Sequence, residues 1–258
     1  MRFLWLLPLT LWGQYEVPRL LGLAGAQAAL TGEPLSANPA GAFPGGSWSF
    51  SGGSAFYVLT PELSYHTLGL AVRLDSVQAI SLIGHSWGFD KLTHLHGGIG
   101  YALRLLRGQI TLSVRGRLLH TNMQEYGQVS QWTPDVGLLW QVSPRLRVGG
   151  YGFNLLGRGW GRLPGAATFG LGVVYEPSPL VQFLSEVYQA EQGPWNLHTA
   201  LQYRPVNLLI LRLGVAAPLL QVGGGFSLVY KRVAIDFGYR YYPTTGSWAG
   251  AGFTYPAL

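Results

Sequence analysis

Charge is scarce in this chain. Only 11% of its 258 residues are charged, whereas charged residues make up about a quarter of an ordinary soluble domain. At the same time 48% of the residues are hydrophobic. The chain therefore has too little charge to cover a soluble surface in the usual way, and this balance favours a membrane protein.

Long apolar runs and cysteine are also missing. After the N-terminus no stretch of about 20 apolar residues occurs, so the sequence excludes a spanning helix, and a closed β-barrel is the other structure that satisfies its backbone in lipid. The absence of cysteine excludes disulfides, thiolate metal sites and lipid attachment through that residue. A short apolar run from Phe3 to Trp12, preceded by Arg2, predicts a signal peptide over residues 1–14.

The basic residues do not form a nucleic-acid site. The formal net charge of +6 comes from lysines and arginines that are scattered along the chain, with no basic run longer than the pair Lys231-Arg232. A phosphate-binding surface needs such residues to be clustered. We therefore expect no nucleic-acid partner.

Alternating strands fill most of the chain. Within 109–120, Leu112, Val114 and Leu118 fall on one face, while Arg115 and Arg117 fall on the other, which is the period of a strand. Strands are predicted at 47–57, 63–74, 77–87, 95–105, 109–120, 133–142, 145–154, 167–175, 180–189, 195–204, 209–215, 219–230, 233–241 and 247–256. Strands of about ten residues in even number suit a closed membrane barrel. We predict an all-β, up-and-down antiparallel transmembrane barrel of about 14 strands over residues 47–258.

The connections predict how the barrel is oriented. Tight breaks such as Asp75-Ser76 and Arg107-Gly108 follow every second strand, and short turns of outer-membrane barrels lie in the periplasm. We expect an integral protein of the bacterial outer membrane with both termini periplasmic. Longer outward connections are predicted at 88–94, 121–132, 155–166, 190–194 and 242–246. Aromatic residues near strand ends predict interfacial girdles: Trp132, Trp140, Trp160, Tyr175, Tyr203, Tyr230, Tyr241, Tyr242 and Trp248.

The polar face of the predicted strands is rich in arginine. We expect it to line the lumen, with Arg73, Arg104, Arg115, Arg117, Arg204, Arg212, Arg240, Glu186 and Asp236. Such arginines could attract anions, or they could brace the wall by pairing with the few acids and with backbone carbonyls. Bracing is favoured. Because arginine outnumbers acid, the excess still needs water or an anionic ligand.

Small residues on the same face predict that something fills the barrel. Gly172, Gly214 and Gly238 would let another piece of backbone come close, and residues 15–46 are the part of the chain free to do so. We predict that they form an N-terminal hatch, with a short helix in the Ala-rich stretch 19–30. A simple periplasmic arm is the alternative.

One element of this segment has a clear local structure. In Asn38-Pro39-Ala40-Gly41, Asn is a favoured N-cap, Pro fits the first helical position and Gly suits the end of a helix. The four residues therefore predict a single capped helical turn.

We find no catalytic or metal-binding motif. The histidines lack a GxSxG context, and neither HExxH nor a phosphate-binding loop occurs. His94 and His96 are expected on opposite faces of a strand, which would keep them from sharing a metal, and together with His120 they are candidates for solvated surface loops. We predict no enzyme activity, no metal and no cofactor.

The segment 19–43, RLLGLAGAQAALTGEPLSANPAGAF, resembles the N-terminal signature of the FadL-like outer-membrane barrels. This superfamily includes long-chain fatty-acid transporters and the PorV/PorQ-type accessory barrels of type IX secretion. In these families a Gly-Ala-rich segment and an Asn-Pro-Ala-Gly element precede the first barrel strand. The match lies in Gly22, Gly25, Ala26, Asn38, Pro39, Ala40 and Gly41, and it implies a hatch inside the barrel.

The resemblance also suggests a function. This chain is shorter than typical members and its outer loops are small, which favours the accessory branch nearest to the PorV/PorQ-type barrels. The first hypothesis is a non-enzymatic accessory component of a type IX-like secretion or surface-attachment system, with outer-membrane lipid and other outer-membrane or secretion proteins as partners. The second is a FadL-like channel for a hydrophobic or anionic small molecule, and the third is a secreted soluble β-protein.

Overall fold

The chain forms a single sheet that closes on itself. The computed structural model describes residues 18–125, 127–156, 167–190, 193–243 and 246–255, so the predicted signal peptide lies outside the described residues. Each strand pairs antiparallel with its neighbours in sequence, and the first pairs with the last to close a barrel of 14 strands. The predicted fold class and strand number are confirmed.

The strands follow one another as a continuous meander. They are β1 (Trp48–Tyr57), β2 (Thr60–Arg73), β3 (Gln78–Phe89), β4 (Leu92–Leu105), β5 (Ile110–Met123), β6 (Gly127–Ser143), β7 (Leu146–Phe153), β8 (Thr168–Ser178), β9 (Val181–Ala190), β10 (Trp195–Val206), β11 (Leu209–Ala217), β12 (Gln221–Tyr230), β13 (Val233–Tyr242) and β14 (Gly246–Tyr255). Helix α1 (Pro18–Gly22) and 3-10 turns at Pro39–Ala42 and Leu106–Gly108 precede or interrupt them. No helix among the described residues is long and apolar enough to cross a bilayer.

Alternation gives the barrel two different faces. Along β13, Ala234 and Asp236 are buried while Val233, Ile235 and Phe237 are exposed. Large apolar side chains are exposed on the outside of every strand except β7. An exposed apolar band around a closed barrel is the surface that lipid covers.

The barrel has two unlike ends. At one end, which we call the short-turn rim, the even-numbered strands β2 to β12 connect to the next strand through the residues 74–77, 106–109, 144–145, 179–180, 207–208 and 231–232. The first and last strands meet at this rim, where the rings of Trp48 and Tyr255 stack with their centroids 4.5 Å apart. We call the other end the opposite rim. That the short-turn rim faces the periplasm stays a prediction.

Two predicted long connections are wrong. Only residues 90–91 join β3 to β4, where 88–94 was expected to loop out, and β5 and β6 continue pairing as far as Met123 and Gly127. The backbone ladder extends past the point where apolar and polar residues stop alternating, so the side-chain pattern ends before the strand does. Most of the predicted loop 155–166 lies outside the described residues.

The predicted aromatic girdles are partly corrected. Trp132, Trp140, Tyr175, Tyr203, Tyr230 and Tyr241 are exposed on the outer face. Tyr242 and Trp248 are instead buried inside the barrel, because their positions in the alternation of β13 and β14 point them inward. Trp160 lies outside the described residues.

Candidate functional site

The lumen is occupied by the chain's own N-terminal segment. We call residues 18–46 the hatch. From 18 to 44 every residue except the half-buried Thr31 is buried, and α1 contacts β11 to β14 and β1, while the 3-10 turn contacts β4 to β6. The segment therefore crosses the inside of the barrel from one wall to the other.

Glycines on the inner face of the wall leave the space that the hatch occupies. A Cβ atom at Gly238 would lie 1.9 Å from the carbonyl oxygen of Pro18, and one at Gly149 would lie 2.0 Å from that of Ala28. Real Cβ atoms do not approach oxygen so closely, so these positions exclude any residue larger than glycine while the hatch is seated. Gly172 and Gly214 on the inner face also touch the hatch, at Ala28 and Leu23.

The hatch contains less helix than its composition suggests. Helix α1 has five residues, where a helix through 19–30 was expected. Ala24 and Gly25 have positive φ angles of 49° and 88°, which end the helix. Of the residues that carried the family resemblance, Gly22 lies at the end of α1 against Gly225, and Ala26 is fully buried.

The predicted capped turn is present and fastens the hatch to the wall. The Asn38 Oδ1 accepts a hydrogen bond from the backbone N–H of Ala40 at 3.0 Å, and the 3-10 turn starts at Pro39. The Asn38 Nδ2 donates to the carbonyl oxygens of Ala28 at 2.5 Å and of Leu138 at 3.0 Å. One side chain thus links the turn, an earlier part of the hatch, and β6.

Gly41 does not have its predicted role. The turn continues through it to Ala42. A Cβ atom at Gly41 would instead lie 2.7 Å from the carbonyl oxygen of Leu30, so the position needs glycine for a close approach within the hatch.

Two of the predicted lumen arginines share one carboxylate. Arg115 donates from Nε to Asp135 at 2.9 Å, and Arg117 donates from Nε at 2.7 Å and from Nη2 at 2.9 Å. Arg115 also donates to the backbone carbonyls of Ser36 and Ala37, both at 3.1 Å. The wall therefore binds the hatch through hydrogen bonds from the guanidinium of Arg115, and Asp135 orients that guanidinium.

Glu186 holds the hatch from the other side of the lumen. Its carboxylate accepts the backbone N–H groups of Gln27 at 2.6 Å and Ala28 at 2.7 Å, and the Tyr151 hydroxyl at 2.7 Å. Sequence reasoning placed Glu186 in the lumen without finding these partners, since they lie 159, 158 and 35 residues away.

A further polar group lies beside α1. Arg19 approaches the Glu33 carboxylate at 3.4 Å within the hatch, and Ser51 of β1 donates to the same carboxylate at 3.0 Å. Burial raises the pKa of the Glu33 carboxyl above its ordinary value, although Arg19 acts in the opposite direction. Neighbouring wall residues Arg212 and Asp236 form an ion pair at 3.3 Å.

The remaining predicted arginines lie at different depths of the lumen. At the short-turn rim, Arg73 donates to the carbonyl of Pro44 at 3.0 Å, and the Arg104 guanidinium lies 3.6 Å from the ring centroid of Phe43. Arg240 donates to Gln221 at 2.5 Å. Arg204 lines a small cavity at the short-turn rim. The structure therefore places all nine predicted lumen residues inside the barrel, distributed over several separate contacts with the hatch and the wall.

Aromatic and histidine side chains form a layer toward the opposite rim. The Tyr65 hydroxyl lies 3.1 Å from Nδ1 of His85, and the rings of Trp87 and His94 have centroids 4.7 Å apart. Tyr57 and Trp248 meet edge to face with their centroids 5.9 Å apart. We call the inward-facing residues Tyr57, Tyr65, Trp87, Tyr242 and Trp248 the aromatic layer.

The predicted placement of the histidines is wrong. His94 and His96 are two residues apart on β4 and therefore face the same side, with ring centroids 6.4 Å apart. His94 is buried and its Nδ1 lies 2.7 Å from the Thr121 hydroxyl, and His120 lies within β5, so none of the three is in a loop. Within the described ranges, no group of three or more His, Cys, Asp or Glu side chains is arranged to hold a metal.

Comparison with known proteins identifies the fold. No protein-family model matches the chain, and no curated protein sequence matches it. The deltaS2S3 mutant of the TodX monoaromatic hydrocarbon channel superimposes with a TM-score of 0.72 at 12% identity, covering 94% of this chain and 98% of the other. The Pseudomonas putida toluene transporter TodX gives 0.68 at 12% identity, with coverage of 94% and 98%.

A Pseudomonas aeruginosa FadL homologue gives a TM-score of 0.67 at 12% identity, covering 93% of this chain and 98% of that one. An identity this low shows the fold alone, and a nearest relationship to the PorV/PorQ-type barrels stays a prediction. The chain has the fold of the FadL-type outer-membrane barrels.

Proposed function

We propose that the protein is an outer-membrane channel for small hydrophobic molecules, closed by its hatch. The observation that carries the proposal is the arrangement of the lumen. Between the hatch and the opposite rim lies the aromatic layer, whose faces offer apolar and π surface to a ligand. Below it the hatch fills the barrel, so a ligand has to displace or rearrange the hatch to pass.

The way the hatch is held also suits a movable closure. Wall side chains fill the lumen of a barrel of about eight strands, and a barrel of 14 strands encloses more space. Here glycines stand at several contact positions of the wall, and the separate segment is attached through hydrogen bonds. Arg115 of the wall donates to the hatch, Asn38 of the hatch donates to the wall, and Glu186 of the wall accepts from the hatch. Such hydrogen bonds can be exchanged for water or ligand one at a time. Release of the hatch would in addition expose its apolar residues, such as Leu20 and Leu35, which pack in one buried cluster with wall residues.

The comparisons agree with a hydrophobic cargo. Two of the similar structures are named as a monoaromatic hydrocarbon channel and a toluene transporter, and we extend that cargo class to this chain as part of the proposal. The accessory role in type IX-like secretion has no support among the described contacts or the comparisons. It remains an untested prediction.

Uptake of toluene tests the proposal. Cells with an intact outer membrane and no channel of their own for aromatic hydrocarbons should take up labelled toluene faster when they make this protein. Trp87→Ala removes one ring of the aromatic layer and should slow toluene uptake. Its matched control is Trp140→Ala, which removes a tryptophan ring from the outer face of the barrel and should leave uptake unchanged. Uptake equal to that of cells without the protein would refute the channel.

Removal of the hatch tests the closure independently of the cargo. The variant lacking residues 19–43 should give an ion conductance in planar bilayers that the full chain lacks, because the lumen would be filled by water. Heat-modifiable migration on a gel provides the control that the barrel itself has formed. A folded but silent deletion variant would contradict the hatch and favour the periplasmic arm.

A further inference from the structure

The lumen wall carries three histidines beside the aromatic layer. His85 on β3 and His94 and His96 on β4 face inward, and the ring centroid of His96 lies 6.4 Å from that of His85 and 6.4 Å from that of His94. We call these three residues the histidine strip. Their rings also lie next to two members of the aromatic layer, since Tyr65 contacts His85 and Trp87 contacts His94. Hydrogen-bonding nitrogen atoms therefore stand among aromatic rings in this part of the lumen.

Two histidines of the strip are engaged within the wall. Nδ1 of His85 lies 3.1 Å from the Tyr65 hydroxyl, and Nδ1 of His94 lies 2.7 Å from the Thr121 hydroxyl. Both side chains are buried. These contacts fix the two rings, so they support the strip and leave ligand binding to its third member.

His96 differs from its two neighbours. Among the described residues it makes ring contacts with His85 and His94 but no hydrogen bond. The residue is half-buried, and neither of its ring nitrogens belongs to the atoms that are buried without a partner. Because the side chain faces inward, it is open to the lumen. A ring nitrogen of histidine can donate or accept a hydrogen bond, so His96 offers one to a ligand.

Other inward side chains near His96 also border open space. Leu119 is the cross-strand partner of His96 on β5, and Gly98 is the next inward position on β4. Trp87 is the cross-strand partner of His94 on β3. Leu119, Gly98 and Trp87 are half-buried, and an inward residue of a closed wall can be exposed only to the lumen. The open space thus has apolar and aromatic surface together with one free imidazole.

The electrostatics beside His96 favour a neutral ligand. Arg117 and Asp135 are the charged side chains that act on His96, and Arg117 donates to Asp135 at 2.7 Å and 2.9 Å. A carboxylate taken out of water needs a charged partner, and this guanidinium is already bound to one. A neutral hydroxyl needs only a hydrogen-bond partner, which His96 supplies.

We propose that the preferred cargo is an aromatic molecule that carries a hydroxyl group, as the phenols do. The aromatic ring packs in the space between Trp87 and Leu119, and the hydroxyl forms a hydrogen bond with His96. The inference rests on the proposed channel and narrows its cargo class. A hydrocarbon of the same shape would displace water from His96 without replacing its hydrogen bond, and sites built to bind a hydroxyl discriminate against analogues that lack it.

Toluene and p-cresol are matched probes, because p-cresol is toluene with one hydroxyl on the ring. Initial uptake of each labelled compound is measured at the same low concentration, and the rate in cells without the protein is subtracted. The rate for p-cresol should exceed that for toluene by about tenfold or more, as one hydrogen bond to a ligand can supply. His96→Phe keeps a planar ring without nitrogen, and it should remove most of this preference.

Two further variants separate the hydrogen bond from general effects on the barrel. His120→Phe makes the same substitution on the outer face of β5, where Nδ1 of His120 lies 2.9 Å from the Ser130 hydroxyl, and it should leave the preference unchanged. His96→Gln restores a hydrogen-bonding group and should recover part of the preference. A loss of folded protein lowers both uptake rates and cancels in their ratio.

The outcomes distinguish the cargo from the channel. Uptake of toluene without a preference for p-cresol, or the same change of the ratio in His96→Phe and His120→Phe, would overturn the assignment to phenols and leave the channel standing. Uptake of neither compound would refute the channel and the phenol cargo together.

Discussion

The Asp135 carboxylate is the shared ion-pair partner of two buried guanidinium groups, those of Arg115 and Arg117. Asp135→Asn would keep the shape and leave Arg115 and Arg117 without their shared counter-charge. Removing one partner of a buried ion pair costs about 3–5 kcal/mol, so we expect the free energy of unfolding in lipid vesicles to fall by about that amount. The hatch should also loosen, because Arg115 carries two of its contacts.

The matched control for this prediction is Asp90→Asn, in the exposed turn between β3 and β4. It removes the same charge and should change stability by less than about 0.5 kcal/mol, as surface substitutions usually do. Similar losses in the two variants would show that net charge, and not the buried cluster, stabilises the barrel.

We expect Glu33 to make the hatch sensitive to pH. Its pKa is raised by burial, and a carboxyl whose pKa rises on folding favours the folded state while protonated and loses that contribution as pH rises through the raised pKa. We therefore expect the hatch to loosen as pH rises above the ordinary glutamate pKa of about 4.3. Arg19, Arg212 and Asp236 also act on this carboxyl or lie near it.

The measurement uses Ser36→Cys, which gives a chain without cysteine a single thiol at a buried position of the hatch, so that labelling of the thiol reports loosening of the hatch. The labelling rate of Ser36→Cys is divided by the labelling rate of the double variant Ser36→Cys with Glu33→Gln, which cancels the pH dependence of the thiol itself. This ratio should rise with pH, because glutamine stays neutral throughout while Glu33 becomes charged. A ratio that is constant or falls with pH would show that Glu33 does not control the hatch.

The sequence predicts which face of a strand a residue occupies, but it does not predict which side chains on neighbouring strands meet. Alternation along β5 and β13 put Arg115, Arg117 and Asp236 on the inner face, since a strand has a period of two. That Arg115 meets Asp135 depends on the register between β5 and β6, which no local pattern encodes. The same period puts His94 and His96 on one face of β4, because side chains two residues apart along a strand point to the same side.

At the scale of the elements, the hatch depends on glycines in the facing strands. Gly238→Ala would bring a methyl group against the carbonyl of Pro18, where a Cβ would lie at 1.9 Å. Because backbone lies on both sides of this contact, the hatch has to shift. We expect faster labelling of Ser36→Cys and conductance events in bilayers.

Gly84→Ala is the control for this substitution. Gly84 is also a mid-strand glycine, but a Cβ there would meet nothing within 4 Å, so the hatch should stay closed. If Gly84→Ala opens the barrel as much as Gly238→Ala does, loss of strand flexibility, and not contact with the hatch, is the cause.

The helix content of the hatch shows what composition cannot predict. The Ala-rich stretch favours helix by propensity, yet the backbone turns at Ala24 and Gly25. The hatch has to follow the curved inner wall and present carbonyls to Arg115 and N–H groups to Glu186, so tertiary contacts override propensity. The Asn38 turn was predictable because its cap, proline and first hydrogen bond are all local.

At the scale of the whole molecule, an apolar outer surface has a direct biochemical consequence. We expect the protein to need detergent or lipid to stay monodisperse, and to migrate faster on a gel when it is not heated, because a closed barrel resists unfolding by detergent. A protein that remains dispersed in buffer alone would instead support the secreted soluble alternative.

Closure of the sheet also imposes an order on assembly. The hatch is the earliest part of the described chain, yet α1 packs against β11 to β14, which are synthesised last. Its burial must therefore wait until nearly the whole chain has been delivered, and these long sequence separations slow folding. Once β14 pairs with β1, the wall is continuous, and the hatch can enter the lumen only through an open end of the barrel. Seating of the hatch is therefore expected as a late step that follows, or accompanies, pairing of the last strands.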